Sequence, residues 1–298
     1  STPVKEVVWS IRNNVNLQQS ALLIALHEVA ENGDEFLRSH YLKAQRSVAK
    51  PWNEGPAAYV LPANDARPGQ QARLLRLMAQ HGSEVHQATE DFEVGDQEYG
   101  EGSYLVRMDQ PFSRGADMLL DKQYYNPNDP APYDDVGWTV GALFNATTHR
   151  IDDVSVLDVD VALVTEAVRA EGGAVGSGDD YLIGYNADNE LASFRYANAT
   201  LNIQAIRGSV EQLDVTFGPG SFLIRSADNP GVDVSSLLNA AANEYGFTAY
   251  AVRAELDVPT AVVGAPRVAV MHTWTNTQDE GWLGLGLDEY GIPYDYIS

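Results

Sequence analysis

The chain uses one stretch twice. Gly102-Ser103-Tyr104-Leu105-Val106-Arg107 returns as Gly220-Ser221-Phe222-Leu223-Ile224-Arg225, the same pattern with conservative apolar exchanges. About forty residues before each copy stands a matching apolar run, Tyr59-Val60-Leu61 and Tyr181-Leu182-Ile183. A helix-like segment and a turn lie between the members of each pair. Self-similarity on this scale constrains the fold more than any single motif, because one unit has to be built twice. The expected unit is strand, helix, short strands, turn, strand. With these loop lengths, that order predicts parallel pairing through right-handed crossovers. The expected class is therefore α/β, with mostly parallel sheets from two related strand-helix-strand units.

A helical hairpin is expected to precede the units, over residues 1–52. Leu17, Ala21, Leu22, Ile24, Ala25, Leu26 and Val29 recur at helical spacing, and Gly33 follows as a candidate cap. Asp34 then opens a second helix that ends at Pro51. The first α/β unit, with an aromatic loop, is assigned to residues 53–170. Its helix spans Gln70–Gln80, and Glu84–Ala88 alternates as a strand. The second unit is assigned to residues 171–298. Gly172-Gly173 and Gly176-Ser177-Gly178 make the best linker candidate between the two. Near the end, Pro266–Met271 reads as a strand leading into another helix. A third α/β unit thus begins, and the chain is expected to be truncated there; Ser1 reads as a processing boundary.

A length of 298 residues suits two domains, and 44% hydrophobic residues supply a sizeable core. No apolar run approaches the roughly 20 residues that span a bilayer. The net charge of −23 argues against nucleic acid, whose phosphates need Lys and Arg, and against anionic membrane surfaces. Acid-rich surfaces with only four lysines suit a salty habitat or an exported protein, and an exported bacterial location is the expectation. Cysteine is absent, which removes disulfides, thiolate metal sites and a Cys nucleophile together.

The sharpest candidate for chemistry is His81-Gly82-Ser83-Glu84-Val85-His86. His and Glu three apart bind zinc when one helical turn brings both to one face. Here the helix ends near Gly82, so Glu84 and His86 fall on the following strand. The plainer alternative is a helix end whose His81 complements the dipole, followed by an ordinary strand. A pocket after the Val268–Met271 strand would use His272, Trp274, Asp279 and Trp282, where open α/β sheets place their ligands. Tyr133 and Trp138, in the aromatic loop, would bind an extended peptide or a sugar; the same rings would equally make a small local core. Asp152, Asp153, Asp158 and Asp160 lack the spacing of a calcium loop. Arg107 and Arg225 end equivalent strands, which predicts matched pairing to a carboxylate.

Three sets of passages resemble a known family. The first is Val8-Trp9-Ser10-Ile11-Arg12-Asn13-Asn14 with Gln18-Gln19. The second joins Tyr59-Val60-Leu61-Pro62-Ala63, Gly82–Ala88, Met108-Asp109-Gln110-Pro111-Phe112 and Pro132–Thr139. The third is Pro266-Arg267-Val268-Ala269-Val270 with Asp279-Glu280-Gly281-Trp282 and Tyr290–Tyr294. Together they resemble the region downstream of the catalytic domain in large bacterial zinc carboxypeptidases of the carboxypeptidase A-like class. The family's tail includes a part like a class I glutamine amidotransferase. The resemblance implies a zinc site in an upstream domain, built from a His-x-x-Glu pair and a distant His, and it carries no catalytic or zinc residue onto this chain. The partners implied are that upstream peptidase domain and a peptide substrate. The function it implies is a non-catalytic accessory region; an independent peptide- or glycan-binding module and a hydrolase with an unrecognised metal site are the alternatives.

Overall fold

The computed structural model describes residues 8–123, 126–128, 137–253, 256–273 and 278–297. Helices α1 (Ile11–Glu31) and α2 (Gly33–Val48) open it, followed by the short α3 (Lys50–Asn53). Ser10 and Asn13 start α1 reciprocally, with Ser10 N donating to Asn13 Oδ1 at 3.0 Å. The far end of the hairpin is tied down: Ser113 Oγ donates to the Ser47 carbonyl at 2.9 Å, and Lys50 Nζ meets Asp117 Oδ2 at 2.8 Å. By contrast, α1 buries none of its residues.

The first unit runs β1 (Ala58–Leu61), α4 (Pro68–Gln80), β2 (His86–Ala88), the hairpin β3 (Phe92–Val94) and β4 (Gln97–Tyr99), then β5 (Tyr104–Arg107). It continues through α5 (Ser113–Leu120), α6 (Val140–Leu143), β6 (His149–Ile151) and β7 (Val161–Leu163). Its sheet has the order β6-β1-β5-β2-β7, and every pairing is antiparallel.

The second unit runs β8 (Gly173–Gly176), β9 (Asp180–Ile183), α7 (Glu190–Ala197), β10 (Gln204–Ile206), the hairpin β11 (Val210–Gln212) and β12 (Val215–Phe217), then β13 (Phe222–Arg225). After it come α8 (Val234–Tyr245), β14 (Thr248–Val252) and β15 (Thr260–Val262). Its order is β15-β10-β13-β9-β14-β8. Apart from β8, that is the first sheet strand for strand. Even the register repeats: His86 lies opposite Leu105 and Leu163, and Gln204 opposite Leu223 and Val262.

The expectation of mostly parallel sheets is therefore wrong. Strands β1 and β2 do run the same way, as a helical crossover requires, but they are not neighbours. Strand β5 returns between them and pairs antiparallel with both. The result is a βαββαβ unit with a split βαβ core, made twice. Sequence order fixed strand direction, whereas adjacency was decided by where the returning strand inserted.

The turn that enters the returning strand is the repeated motif. Gly102 and Gly220 take φ of +86° and +96°, a region open to glycine, and each N–H donates to the preceding short strand, at Ala88 and Ile206, both at 2.9 Å. The following serines are buried and play one role: Ser103 Oγ accepts from Ala63 N at 3.1 Å, and Ser221 Oγ from Tyr185 N at 3.2 Å.

Alternation along the strands gives each sheet two apolar faces. Tyr59, Leu61 and Val106 pack under α4 and α5 with Leu74, Leu75 and Met78. Val60 and Leu105 face the other way, beneath Val94 and Tyr99 of the β3–β4 hairpin. The second unit matches: Tyr181, Ile183 and Ile224 pack under Phe194 and Leu238, while Leu182 and Leu223 face Phe217 of the β11–β12 hairpin.

The glycine-rich stretch expected as a linker is instead strand β8, paired parallel to β14. It lies so close to its neighbours that a Cβ on Gly178 would sit 1.9 Å from the Val252 carbonyl oxygen. Beyond the second unit, β16 (Val268–Met271), α9 (Gln278–Glu289) and β17 (Tyr294–Ile297) form a strand-helix-strand piece whose two strands pair in parallel. Among the described residues no helix is long and apolar enough to cross a membrane.

Candidate functional site

The two units meet helix against helix. On α4 the core takes Leu74, Leu75 and Met78, and the opposite stripe carries Gly69, Ala72, Arg73 and Arg76 at helical spacing. On α7 the matching stripe is Glu190, Ser193 and Ala197. These stripes line a cleft of about 520 Å³, which also takes in Ala167, Arg169 and Ala170 and the C-terminal turns of α8 and α9. A volume of this order suits a small molecule.

The junction beside the cleft is closed by Asp188. This carboxylate is 7% exposed and accepts from Gly69 N at 2.9 Å and Gln70 Nε2 at 3.2 Å across the interface, and from Glu190 N at 3.1 Å in its own unit. A single acid thus satisfies backbone donors at the start of both α4 and α7, where helices leave N–H groups unpaired. Asn186 Nδ2 adds a bond to the Ala66 carbonyl at 2.6 Å.

Arg73 joins three elements. Its Nε lies 2.8 Å from Glu190 Oε1, its Nη1 is 3.6 Å from Glu289 Oε2, and its guanidinium stands 4.0 Å over the Tyr290 ring. Tyr290 in turn bonds to Gln70 and Asn189 through its hydroxyl. Arg76 is less engaged: Nη1 donates to the Val168 carbonyl at 2.6 Å. Burial lowers its pKa, and the positive charges of Arg73 and Arg169 press the same way. Ser193, 6% exposed, has a buried hydroxyl with no hydrogen-bond partner among the described residues.

The residues singled out from sequence fall elsewhere. His81 ends α4 on the surface, and Glu84 is exposed, with its backbone clamped by Gln110, which accepts from Glu84 N at 2.7 Å and donates to its carbonyl at 3.1 Å. His86 is half-buried in β2. Among the described residues no group of three His, Asp or Glu side chains is gathered as a metal site. Trp138 is half-buried just before α6; Tyr133 and Trp274 lie outside the described residues. His272 stacks on Tyr296 at 4.9 Å, Asp279 is on the surface of α9, and Trp282 is 72% exposed. None of the described members of that set lines the cleft.

Arg107 and Arg225 do each meet a carboxylate, by different routes. Arg107 forks onto Asp109 at 3.0 and 2.8 Å, whereas Arg225 approaches Asp180 at 3.6 Å across the β9–β13 pair. The cleft itself was missed. The available signal was the pair Arg73 and Arg76 on the face of α4 away from its core, in a chain with 15 arginines (19 basic residues less four lysines) and 42 acids. No family model, no curated protein and no solved structure matches the chain.

Proposed function

We propose that the chain is a non-catalytic accessory region of a zinc carboxypeptidase-like protein, one that supports a peptidase domain or helps to hold substrate. The observation that carries this reading is α1. Leu22, Leu23, Ile24 and Leu26 are 61, 59, 69 and 58% exposed, and the helix has no buried residue. A helix that leaves this much apolar side chain exposed over residues 21–26 belongs against a partner. The neighbour that the family resemblance supplies is the peptidase domain, and the hairpin is the place to receive it.

The test has two parts. The chain alone should show no peptidase activity on peptides with free C-termini, with or without added zinc; appreciable turnover sinks the proposal. Co-expressed with a zinc carboxypeptidase domain of the parent type, it should co-purify, and the double change Leu22→Glu, Leu26→Glu should abolish that. Co-purification that ignores both substitutions would place the contact elsewhere and remove the support drawn from α1.

An independent peptide- or glycan-binding module is the second reading, favoured by the cleft between the units. Binding by the isolated chain that is lost on replacing Trp138 would assign it to the aromatic loop; loss on replacing Arg76 would assign it to the cleft.

A further inference from the structure

The inter-unit cleft is polarised. Its positive groups come from α4 and the stretch between the units: Arg73, Arg76 and Arg169. Its negative groups are Glu190 at the start of α7 and, at the last turns of two other helices, Glu244 at the end of α8 and Asp288 and Glu289 at the end of α9. Those helix ends add the partial negative charge of their unpaired carbonyls, which favours a cation. Arg73 is already committed to Glu190, Glu289 and the Tyr290 ring. Arg76 makes a single described bond, and Arg169 makes no hydrogen bond or ion pair among the described residues. With three guanidiniums and four carboxylates around it, the cleft presents both signs of charge to whatever it holds.

The second observation is Ser193. Its hydroxyl is buried on the α7 side of the same cleft without a partner. A buried hydroxyl left unpaired is a cost that a polar ligand removes.

We propose that this cleft binds a small zwitterion, a free amino acid or a short peptide with both termini free. Arg76 and Arg169 receive the carboxylate, the guanidinium fork suiting a planar two-oxygen anion. Glu244 and Asp288 receive the ammonium at the ends of α8 and α9. The small side chains of Ala72, Ala170 and Ala197 leave the remaining space to the ligand's own side chain. A dianion such as phosphate is disfavoured, because the carboxylates that attract the ammonium repel it. The inference rests on the reading that the chain holds a ligand, and it names the ligand's class.

The experiment is calorimetric titration of the intact chain with five probes: L-leucine, alanyl-alanine, N-acetyl-leucine, leucinamide and inorganic phosphate. Saturable binding of L-leucine or alanyl-alanine at about 1 mM or tighter is expected. N-acetyl-leucine and leucinamide should each bind at least tenfold more weakly, since each lacks one charge. Arg76→Gln should weaken the zwitterion at least tenfold while the thermal midpoint stays near that of the parent. If Arg76→Gln unfolds the protein, Glu244→Gln supplies the same test from the ammonium side.

Leucine and alanyl-alanine also separate the two sources, a free amino acid or a peptide. Equal binding of the N-acetyl form, or preferential binding of phosphate, overturns the zwitterion assignment and leaves the cleft a ligand site. No binding by any probe overturns the assignment and the holding role together. Neither result bears on peptidase activity, which is assayed separately.

Discussion

His86 shows how far a single side chain can be read from its surroundings. Its ring is half-buried in β2, with Nδ1 enclosed and without a hydrogen-bond partner. Burial lowers its pKa below the ordinary histidine value and the Arg107 charge lowers it further, against the weaker pull of Glu84 and Asp109. The sign follows from linkage. The unfolded chain, titrating near pH 6.5, takes up the proton before the folded chain does, so stability is lost as pH falls through about 6.5. The urea midpoint should drop between pH 7.5 and 5.5, and His86→Gln should lessen that drop; an unchanged drop would mean other groups cause it. At this scale the sequence showed that Ser103 and its Gly-Ser turn recur at Ser221, and not that the hydroxyl bonds Ala63 N, 40 residues away. It was silent on Asp188, whose partners Gly69 and Gln70 lie 119 and 118 residues away. Nothing local distinguishes that aspartate from the many on the surface.

Elements were legible in kind and less so in arrangement. The helix expected at Gln70–Gln80 is observed at Pro68–Gln80, because its apolar spacing and the proline at its start are local signals. The sheet pairing was not local: the sequence shows that β1 and β2 flank a helix, and only the fold shows β5 between them. The glycines of residues 172–178 misled for a related reason, since glycine serves close approach as well as flexibility. That distinction is testable. Gly178→Ala places a methyl 1.9 Å from the Val252 oxygen, so it should destabilise by about 1–3 kcal/mol or prevent folding. Gly173→Ala, in the same stretch, meets nothing within 4 Å and should change stability by less than about 0.5 kcal/mol. Urea unfolding of both variants decides it: equal tolerance would show that the stretch is a linker after all.

For the molecule as a whole, charge is the dominant long-range term. A net charge of −23 opposes the compact state through self-repulsion, and salt screens it over a distance that shrinks from about 10 Å at 0.1 M to about 3 Å at 1 M. Raising sodium chloride across that range should raise the thermal midpoint by about 2–5 °C. A fall would mean that ion pairs such as Arg73–Glu190, weakened by the same screening, matter more to stability than the repulsion does. The duplicated sheet has a different use. Two halves with one strand order and one register are a comparison contained in a single chain, each serving as the control for the other. What both retain, the Gly-Ser turn, the tyrosine of the first strand and the arginine ending the returning one, is what the shared architecture demands. What only one half possesses, such as Arg76 on α4 or Ser193 on α7, was released from that demand, and substitutions intended to alter function should start there.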